Sequence, residues 1–390
     1  MNIILKDGPE SDHLKPFTFT RPVSELRIGI LTIAEKYQKR GFDVSYLTSN
    51  YLSAKYPLVK KPVSVLVSAN VCPTDAFVQA IADLKPGEGI RHQGNLIASC
   101  IEIDPEAEMP EPGSVHSKKE FKDYLTSIEK LWHIFQYNGT ELQNDFNLIT
   151  KGRTSAELSP TNKIIGDNIF VEEGVWAECA VFNTKTGPIY IGKDATVMEG
   201  ATVRGALALC EHSQLNMGAK IYGPTTVGPY CKVGGEVNNS VLFGYSNKGH
   251  EGFLGNSVLG EWCNIGADSN NSNLKNNYEE VKLWNYATGS FERTGLQFCG
   301  LFMGDHSKCG INTMFNTGTV VGVSANIFGS GFPRNFIPSF SWGGAQGLTT
   351  YKLEKALETA SRVMARRGKT LNPIESDILT HVYEQTKEYR

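Results

Sequence analysis

The chain has 390 residues, enough for two or three domains that each bury a core. Its 38 basic and 41 acidic side chains leave a formal net charge of -3, which gives no electrostatic reason to expect nucleic acid or an anionic membrane as a partner. No apolar run approaches the ~18 residues that span a bilayer, and MNIILKDGPE lacks the pattern of a secretory signal. The eight cysteines form no CxxC pair, so we expect a cytoplasmic protein without disulfides or a metal site.

Strand and helix signals alternate over the first 150 residues. NIIL, DVSYL and VSVLVS predict buried strands, a helix is expected after Pro22, and PTDAFVQAIADL predicts a further helix. Such alternation is typical of a parallel α/β sheet. KKEFKDYLTSIEKLWHIFQYN then predicts one long helix that ends near Asn138 and Gly139.

After residue 160 an aliphatic side chain recurs at every sixth position. The row from Ile191 runs through Val197, Val203, Leu209, Leu215, Ile221, Val227 and Val233. A period of six fits neither a helix nor a hairpin strand, but it fits a solenoid whose triangular coils use three short strands each. Coils of about 18 residues predict ~8–9 coils between residues 163 and 340. A β-sandwich is disfavoured because no alternating hairpin pattern is present.

Two segments depart from this repeat. An asparagine-rich stretch at about residues 270 to 297 interrupts it and is predicted as a loop that projects from the solenoid and is long enough to reach an adjacent subunit. TYKLEKALETASRVMARRG and PIESDILTHVYEQTKEY predict two amphipathic helices, with packing as the expected role and an interaction tail as the alternative. The predicted domains are therefore residues 1–150, 151–345 and 346–390.

The stretch GHEGFLGNSVLGEWCNIGAD carries a specific resemblance. On a hexapeptide-repeat region that follows an α/β domain, it resembles the bifunctional enzymes of UDP-N-acetylglucosamine synthesis, which join a uridylyltransferase to a glucosamine-1-phosphate N-acetyltransferase. FTFTRPVSELRIGILTIAEK resembles the short variants of the Bacteroidetes group. The resemblance implies a nucleotidyltransferase-like α/β domain, a left-handed parallel β-helix and a helical tail. The handedness rests on the resemblance alone, since right-handed crossovers are the general rule.

The same resemblance implies the partners. We expect a homotrimer that takes a sugar 1-phosphate, acetyl-CoA and a nucleoside triphosphate, with Mg²⁺ if nucleotidyl transfer is active. His250 matches the family's general base, and an imidazole can take the proton that an attacking amine must lose. A histidine hydrogen-bonded at a coil corner is the alternative. Asn264 matches an asparagine that helps hold the substrate, or else belongs to an inward asparagine ladder.

Further residues of the predicted acetyl-transfer site follow from the same motif. Asn273 matches a loop asparagine near the acetyl group, and Ala267 a position whose backbone contacts acetyl-CoA. Arg204 and Lys248 are predicted to bind the sugar phosphate, because a phosphate needs cationic donors; either is otherwise a solvated charge. His306 and Lys308 are predicted to bind coenzyme A, with a corner role as the alternative. Asn238 and Phe253 depart from a family lysine and tyrosine.

The N-terminal domain also departs from the family pattern. LKDGPESDHLKPFTFTRPVSEL stands where a glycine-rich phosphate loop is expected, and Ala69-Asn70 replaces the Gly-Asp that holds the metal. Lys15 and Arg21 are predicted to replace the lost phosphate contacts, with Asn70 at the nucleotide. Arg21 alternatively pairs with Glu25.

Three interpretations stay open from the sequence. The first is an enzyme that acetylates glucosamine 1-phosphate and couples the product to a nucleotide. The second is an acetyltransferase with an inactive nucleotidyltransferase domain, and the third is a non-catalytic subunit that binds a nucleotide sugar.

Overall fold

The computed structural model describes residues 1–104 and 115–390, and its N-terminal part is built around a mixed sheet. The strands of this part are β1 Asn2–Lys6, β2 Asp43–Leu47, β3 Val63–Ser68, β4 Val71–Cys72, β5 Glu88–His92, β6 Asn95–Glu102, β7 Ser117–Glu120 and β8 Thr126–Ser127. In the main sheet the order is β2-β1-β3-β6-β5-β7. β1 pairs in parallel with β2 and β3, but β6 is antiparallel to β3 and β5. The three predicted strands are confirmed, whereas the expected parallel sheet is wrong at β6.

Five described helices lie along the chain in this part of the protein. They are α1 Glu10–His13, α2 Ile33–Gln38, α3 Asp75–Ala82, α4 His133–Gln136 and α5 Asn138–Thr150, with 3₁₀ turns at Phe17–Phe19, Val23–Glu25 and Asn50–Leu52. The helix expected after Pro22 is only one of these 3₁₀ turns. The long helix predicted up to Gly139 is also wrong, because β7 pairs with β5 and helix α5 begins where that helix was expected to end. Sheet pairing there overrides the amphipathic pattern.

From residue 163 onwards the chain forms a parallel β-helix, called the prism below, with three faces. Face 1 contains Ile169–Val171, Ile189–Ile191, Leu207–Leu209, Thr225–Val227, Val241–Gly244, Val258–Glu261, Leu301–Met303, Thr319–Val321 and Phe336–Ile337. Face 2 contains Trp176–Ala177, Thr196–Val197, Gln214–Leu215, Lys232–Val233, Asn247–Lys248, a bridge at Asn264, Lys308–Cys309, Asn326–Ile327, Ser341–Gly344 and the antiparallel Gly347–Thr350. Face 3 contains Lys163–Ile165, Val181–Asn183, Thr202–Arg204, Lys220–Tyr222, Glu236–Asn238, Phe253–Gly255, Asn270–Asn271 and Met314–Phe315.

The six-residue row fills the inside of the prism. Every aliphatic of the predicted row from Ile191 to Val233 is buried, with no more than 3% of its surface exposed. Ile189 pairs with Leu207, 18 residues further on, which is the predicted coil length. Thr226 pairs with Val241 after only 15 residues, and this shorter coil explains why the phase changes after Val233.

The N-terminal domain packs across face 1. The rings of Phe17 and Phe243 have centroids 5.1 Å apart, and those of Phe135 and Phe302 lie 6.1 Å apart. These rings belong to one hydrophobic cluster that continues from the sheet domain to Val258 on face 1. Burial of apolar surface of this kind is the main stabilising contribution to a domain contact. The domain and the prism therefore share a core.

The asparagine-rich insertion is a hairpin, and it packs on its own chain. Strands Lys282–Asn285 and Ser290–Arg293 pair antiparallel. Tyr286, at the turn, lies 5.1 Å from Phe19 between ring centroids, and Lys130 pairs with Glu292 at 2.8 Å. The expected loop outside the repeat is confirmed, and its hairpin contacts the N-terminal domain of its own chain.

The tail consists of helices α6 Leu353–Ala365 and α7 Pro373–Gln385, as predicted, followed by a 3₁₀ turn at Lys387–Tyr389. The sheet domain, the prism and this tail confirm the predicted order of an α/β domain, a parallel β-helix and terminal helices. The eight cysteines all lie in the described ranges and are free, and Cys231, Cys263 and Cys309 are buried as predicted. Over residues 1–104 and 115–390 we find no helix with the length and apolar character that a bilayer crossing needs.

Candidate functional site

His250 lies on an exposed corner of the prism, between face 2 and face 3. It follows strand Asn247–Lys248 and precedes strand Phe253–Gly255, and its side chain is exposed. Glycines surround it because successive coils touch there. A Cβ atom on Gly252, whose φ is +112°, would lie 2.1 Å from the carbonyl oxygen of Ser269, and one on Gly235 would lie 2.7 Å from that of His250. The glycines thus allow successive coils to stack closely, and the imidazole of His250 stays exposed to solvent.

Ala267 lies at the same corner on the next coil. The amide of Asp268 donates to the carbonyl of Glu251 at 3.0 Å, which puts the segments around Ala267 and His250 side by side. Asn264 precedes this corner on face 2, where it bridges Asn247 and Lys308. The structure thus brings His250, Ala267 and Asn264 to the same corner of the prism, on two neighbouring coils. Asn264 faces outward in the row of Asn247, and so it is not part of an inward ladder.

Lys248 is not a free surface cation. Only 1% of its surface is exposed, and its Nζ donates to the carbonyl oxygen of His250. Burial lowers the pKa of this lysine to about 8, and the carboxylates of Glu251 and Asp268 act in the opposite direction. The predicted contact with a sugar phosphate is therefore not supported by its position.

Arg204 and Asn273 lie away from this corner within the chain. Arg204 is exposed on face 3, three strands from Phe253–Gly255, which amounts to roughly 14 Å at the usual strand spacing. Asn273 follows strand Asn270–Asn271 at the other end of face 3, and its amide donates to Asn256 at 2.8 Å. The chain therefore does not bring either residue to its own His250.

His306 and Lys308 lie beneath the tail. Both line a small cavity of about 20 Å³ that is closed by Tyr351 and by Ala356 and Ala360 of α6. Burial lowers the pKa of His306 to about 3 and that of Lys308 to about 8. His306 also stacks on Trp262 at 6.3 Å. The predicted coenzyme A contact is not supported by this position, because both side chains face helix α6.

The N-terminal domain contains a cavity of about 690 Å³ at the carboxyl ends of β1 and β3. Asn70, which follows β3 and is predicted to lie at the nucleotide, lines it. Ligands of open α/β sheets bind beyond the carboxyl ends of adjacent parallel strands, which is where this cavity lies. Its lining also includes titratable side chains that we did not predict, namely Asp7, Glu10, His13, His92, Lys130 and His133. For Asp7 and Glu10 the signal in the sequence was their position directly after the first strand.

In the turn after β1, a backbone amide donates a hydrogen bond to a nearby carboxylate. The amide of Gly8 donates to Oε1 of Glu10 at 2.9 Å, so a backbone donor that faces the cavity is already paired. Asp7 accepts hydrogen bonds from the amide of Val23 and the hydroxyl of Thr48, and burial raises its pKa to about 6. Burial also raises the pKa of Glu10 above its usual value.

Lys15 and Arg21 lie outside the lining of this cavity. Lys15 pairs with Asp12 at 2.8 Å. Arg21 is only 5% exposed and pairs with Glu261 at 3.1 Å and with Asp305, both on the prism. The predicted nucleotide contacts of Lys15 and Arg21 are therefore not supported by their positions, and the carboxylates that pair with Arg21 are those of Glu261 and Asp305, not that of Glu25. Arg21 joins the N-terminal domain to the prism.

Nucleotidyl transfer in the resembling family requires Mg²⁺, so we tested whether residues here fit that ion. Across the part of the chain that the structure describes, no group of three or more His, Cys, Asp or Glu side chains is arranged to hold a metal ion. Asn70 offers an amide oxygen, which is a weaker magnesium ligand than a carboxylate. Within residues 1–104 and 115–390 the side chains alone therefore do not form a complete set of metal ligands.

Comparison with known proteins gives one match in sequence and several in structure. Residues 3–154 match the family model described as sugar nucleotidyl transferase. No curated protein matches the chain in sequence. Among solved structures, an Arabidopsis UDP-N-acetylglucosamine acyltransferase is similar at 14% identity and a TM-score of 0.20, over 60% of this chain and 91% of that one. The acetyltransferase domain of PglB from Neisseria gonorrhoeae has 10% identity and a TM-score of 0.17, over 90% of this chain and 98% of that one.

Proposed function

We propose that this protein transfers an acetyl group from acetyl-CoA to the amine of an amino-sugar 1-phosphate, with glucosamine 1-phosphate as the expected acceptor. The observation that carries the proposal is the exposed imidazole of His250 beside the backbone of Ala267 on the next coil. The acetyltransferase motif resembled by this stretch supports the same assignment.

In the proposed reaction His250 accepts a proton from the sugar amine as the nitrogen attacks the thioester carbonyl. The C–N bond forms, the carbonyl electrons move to oxygen, and a backbone amide at the Ala267 turn faces the resulting oxyanion. The C–S bond then breaks, and the leaving thiolate takes up the proton. Asn264, on the same coil as Ala267, is proposed to hold the acceptor sugar.

We further propose that the protein works as a homotrimer. Met217 and Ile311 lie at the same prism corner as His250, on coils to either side, and are 68% and 70% exposed. Exposed apolar side chains at one edge favour a contact with another subunit. In such a trimer Arg204 or Asn273 of a neighbour could complete the site. Light scattering tests this directly, and a monomer at micromolar concentration contradicts it.

The N-terminal cavity is proposed to bind the nucleotide, consistent with the family match over residues 3–154. Transfer from UTP or dTTP to the acetylated sugar phosphate would give a nucleotide sugar. A second candidate is an acetyltransferase whose N-terminal domain is inactive. Two observations favour it. The carboxylate of Glu10 accepts the hydrogen bond of the Gly8 amide, and Lys15 and Arg21 are not among the residues that line the cavity.

One incubation separates these candidates. The protein is mixed with acetyl-CoA, glucosamine 1-phosphate, Mg²⁺ and either UTP or dTTP, and the products are measured by mass spectrometry. Acetylated sugar phosphate together with a nucleotide sugar supports both activities, and acetylated sugar phosphate alone supports the second candidate. If neither product forms, the proposed function is wrong.

A further inference from the structure

Lys248 occupies a position that belongs to the inside of the prism. It pairs with Val233 on the coil before, and Ile265 and Cys309 continue the same row on later coils. Val233 has no exposed surface, and Ile265 and Cys309 are 5% exposed. Lys248 itself is 1% exposed, so a lysine stands in a row of apolar side chains.

An apolar residue would suit this row better. The stem of Lys248 can pack like an aliphatic chain, but its ammonium needs a polar partner, because burying an unpaired charge is costly. The partner is the carbonyl oxygen of His250, two residues further along the chain. A leucine or methionine would fill the row without that requirement. Packing alone therefore does not explain the lysine.

The contact acts on the turn that carries His250. This turn contains Gly249 and Gly252, and glycines leave a backbone free to adopt several conformations. The amide of Asn216 donates to the carbonyl oxygen of Gly249, and Lys248 Nζ donates to that of His250. Two neighbouring carbonyl groups of the turn are thus held by side chains.

We propose that Lys248 is a positioning residue, which holds the carbonyl of His250 from inside the prism and so fixes the direction of the imidazole. This inference rests on the proposed acetyl transfer. Its chemistry differs from that of a phosphate ligand, because the ammonium faces the backbone and does not contact the acceptor. Displacing a catalytic group by about 1 Å can cost on the order of 10²-fold in rate.

The test compares two Lys→Met variants at the same corner. Lys248→Met keeps an unbranched side chain in the row and removes the donor. Lys220→Met is the matched control, because Lys220 is 48% exposed and pairs with Glu251 beside His250. We expect Lys248→Met to lower kcat about tenfold to a hundredfold with both KM values within about threefold of wild type. Lys220→Met should stay within about twofold of wild type.

A second variant and a second measurement guard against misfolding. Lys248→Gln retains a donor that is one atom shorter, and we expect it to recover part of kcat. Hydrogen exchange followed by mass spectrometry should show faster exchange in the peptide around Gly249–Gly252 for Lys248→Met, with other prism peptides unchanged. This measurement does not depend on activity.

The outcomes are distinguishable. A wild-type kcat with unchanged exchange in Lys248→Met overturns the inference and leaves acetyl transfer intact. A raised KM for the sugar phosphate at unchanged kcat also overturns it, because it makes Lys248 a ligand. If the wild-type protein transfers no acetyl group, the proposed function fails, and the exchange experiment alone decides whether Lys248 holds the turn.

Discussion

Removing Arg21 should destabilise the protein and leave nucleotide binding unchanged. The guanidinium is buried between Glu261 and Asp305, and Asp305 is itself only 4% exposed. In Arg21→Ala, Asp305 keeps hydrogen bonds from the hydroxyl of Thr20 and the amide of Glu261 but loses its charged partner. Breaking one side of a buried ion pair typically costs about 3–5 kcal/mol.

The assay is urea unfolding followed by tryptophan fluorescence. Arg153→Ala is the matched control, because Arg153 also pairs with a carboxylate, Glu172, but is 46% exposed. Its loss should cost less than about 1 kcal/mol. Calorimetric titration with UTP and dTTP should give the same affinity for Arg21→Ala as for wild type. Wild-type stability combined with weaker nucleotide binding would refute the interface role.

Three further predictions concern the N-terminal cavity and the hairpin. Glu10→Gln should tighten nucleotide binding roughly fivefold, because it removes about 1 kcal/mol of repulsion near a bound phosphate; unchanged or weaker binding by calorimetry counts against a phosphate at the amide of Gly8. Asp7 has a pKa raised by burial to about 6, so the folded state holds its proton more tightly and the free energy of unfolding should fall as pH rises from about 4 to 6. Asp7→Asn should remove that part of the slope in unfolding measured across this pH range, and an identical slope contradicts the burial of a charge there. Leu283→Ala, in the buried strand of the hairpin, should cost about 2–5 kcal/mol, while Phe291→Ala at a 45% exposed position should cost less than about 1 kcal/mol; equal losses in urea unfolding would mean that the hairpin does not pack as described.

Much of the architecture can be predicted because it depends on local patterns. The row from Ile191 to Val233 marks inward positions of the coils that it spans, and each of those positions is buried. The strands around Ile4 and Val65 are recognisable because they are short apolar runs. These signals require no knowledge of distant contacts.

The errors arise where a partner is distant in sequence. The sequence predicts Arg21 as a phosphate ligand near a helix start, because no neighbouring residue indicates its partner Asp305, 284 residues further along the chain. Residues 118–120 are predicted to be helical, but they belong to strand β7, which pairs with β5. From the sequence, Lys248 is interpreted as a phosphate ligand or a surface charge. A coil of only 15 residues separates it from Val233 and changes the phase of the repeat, so its inward position is not recognised.

The outward positions of face 1 carry apolar residues, and this pattern is visible in the sequence. Val258 and Phe302 pair with each other at outward positions, where a solvated face would carry polar residues. Both are fully buried beneath the N-terminal domain. Apolar residues on the outward phase of a hexapeptide repeat therefore indicate a covered face.

The most direct test of the central claim is acetyl transfer by His250→Ala. Acetyl-CoA and glucosamine 1-phosphate are supplied, and the acetylated product is measured by mass spectrometry in parallel with thiol release. Loss of a general base typically costs about 10²–10⁴-fold in rate, and the exposed imidazole should leave the urea midpoint unchanged. A variant that makes the acetylated sugar at the wild-type rate would contradict the assignment of this prism corner as the acetyl-transfer site.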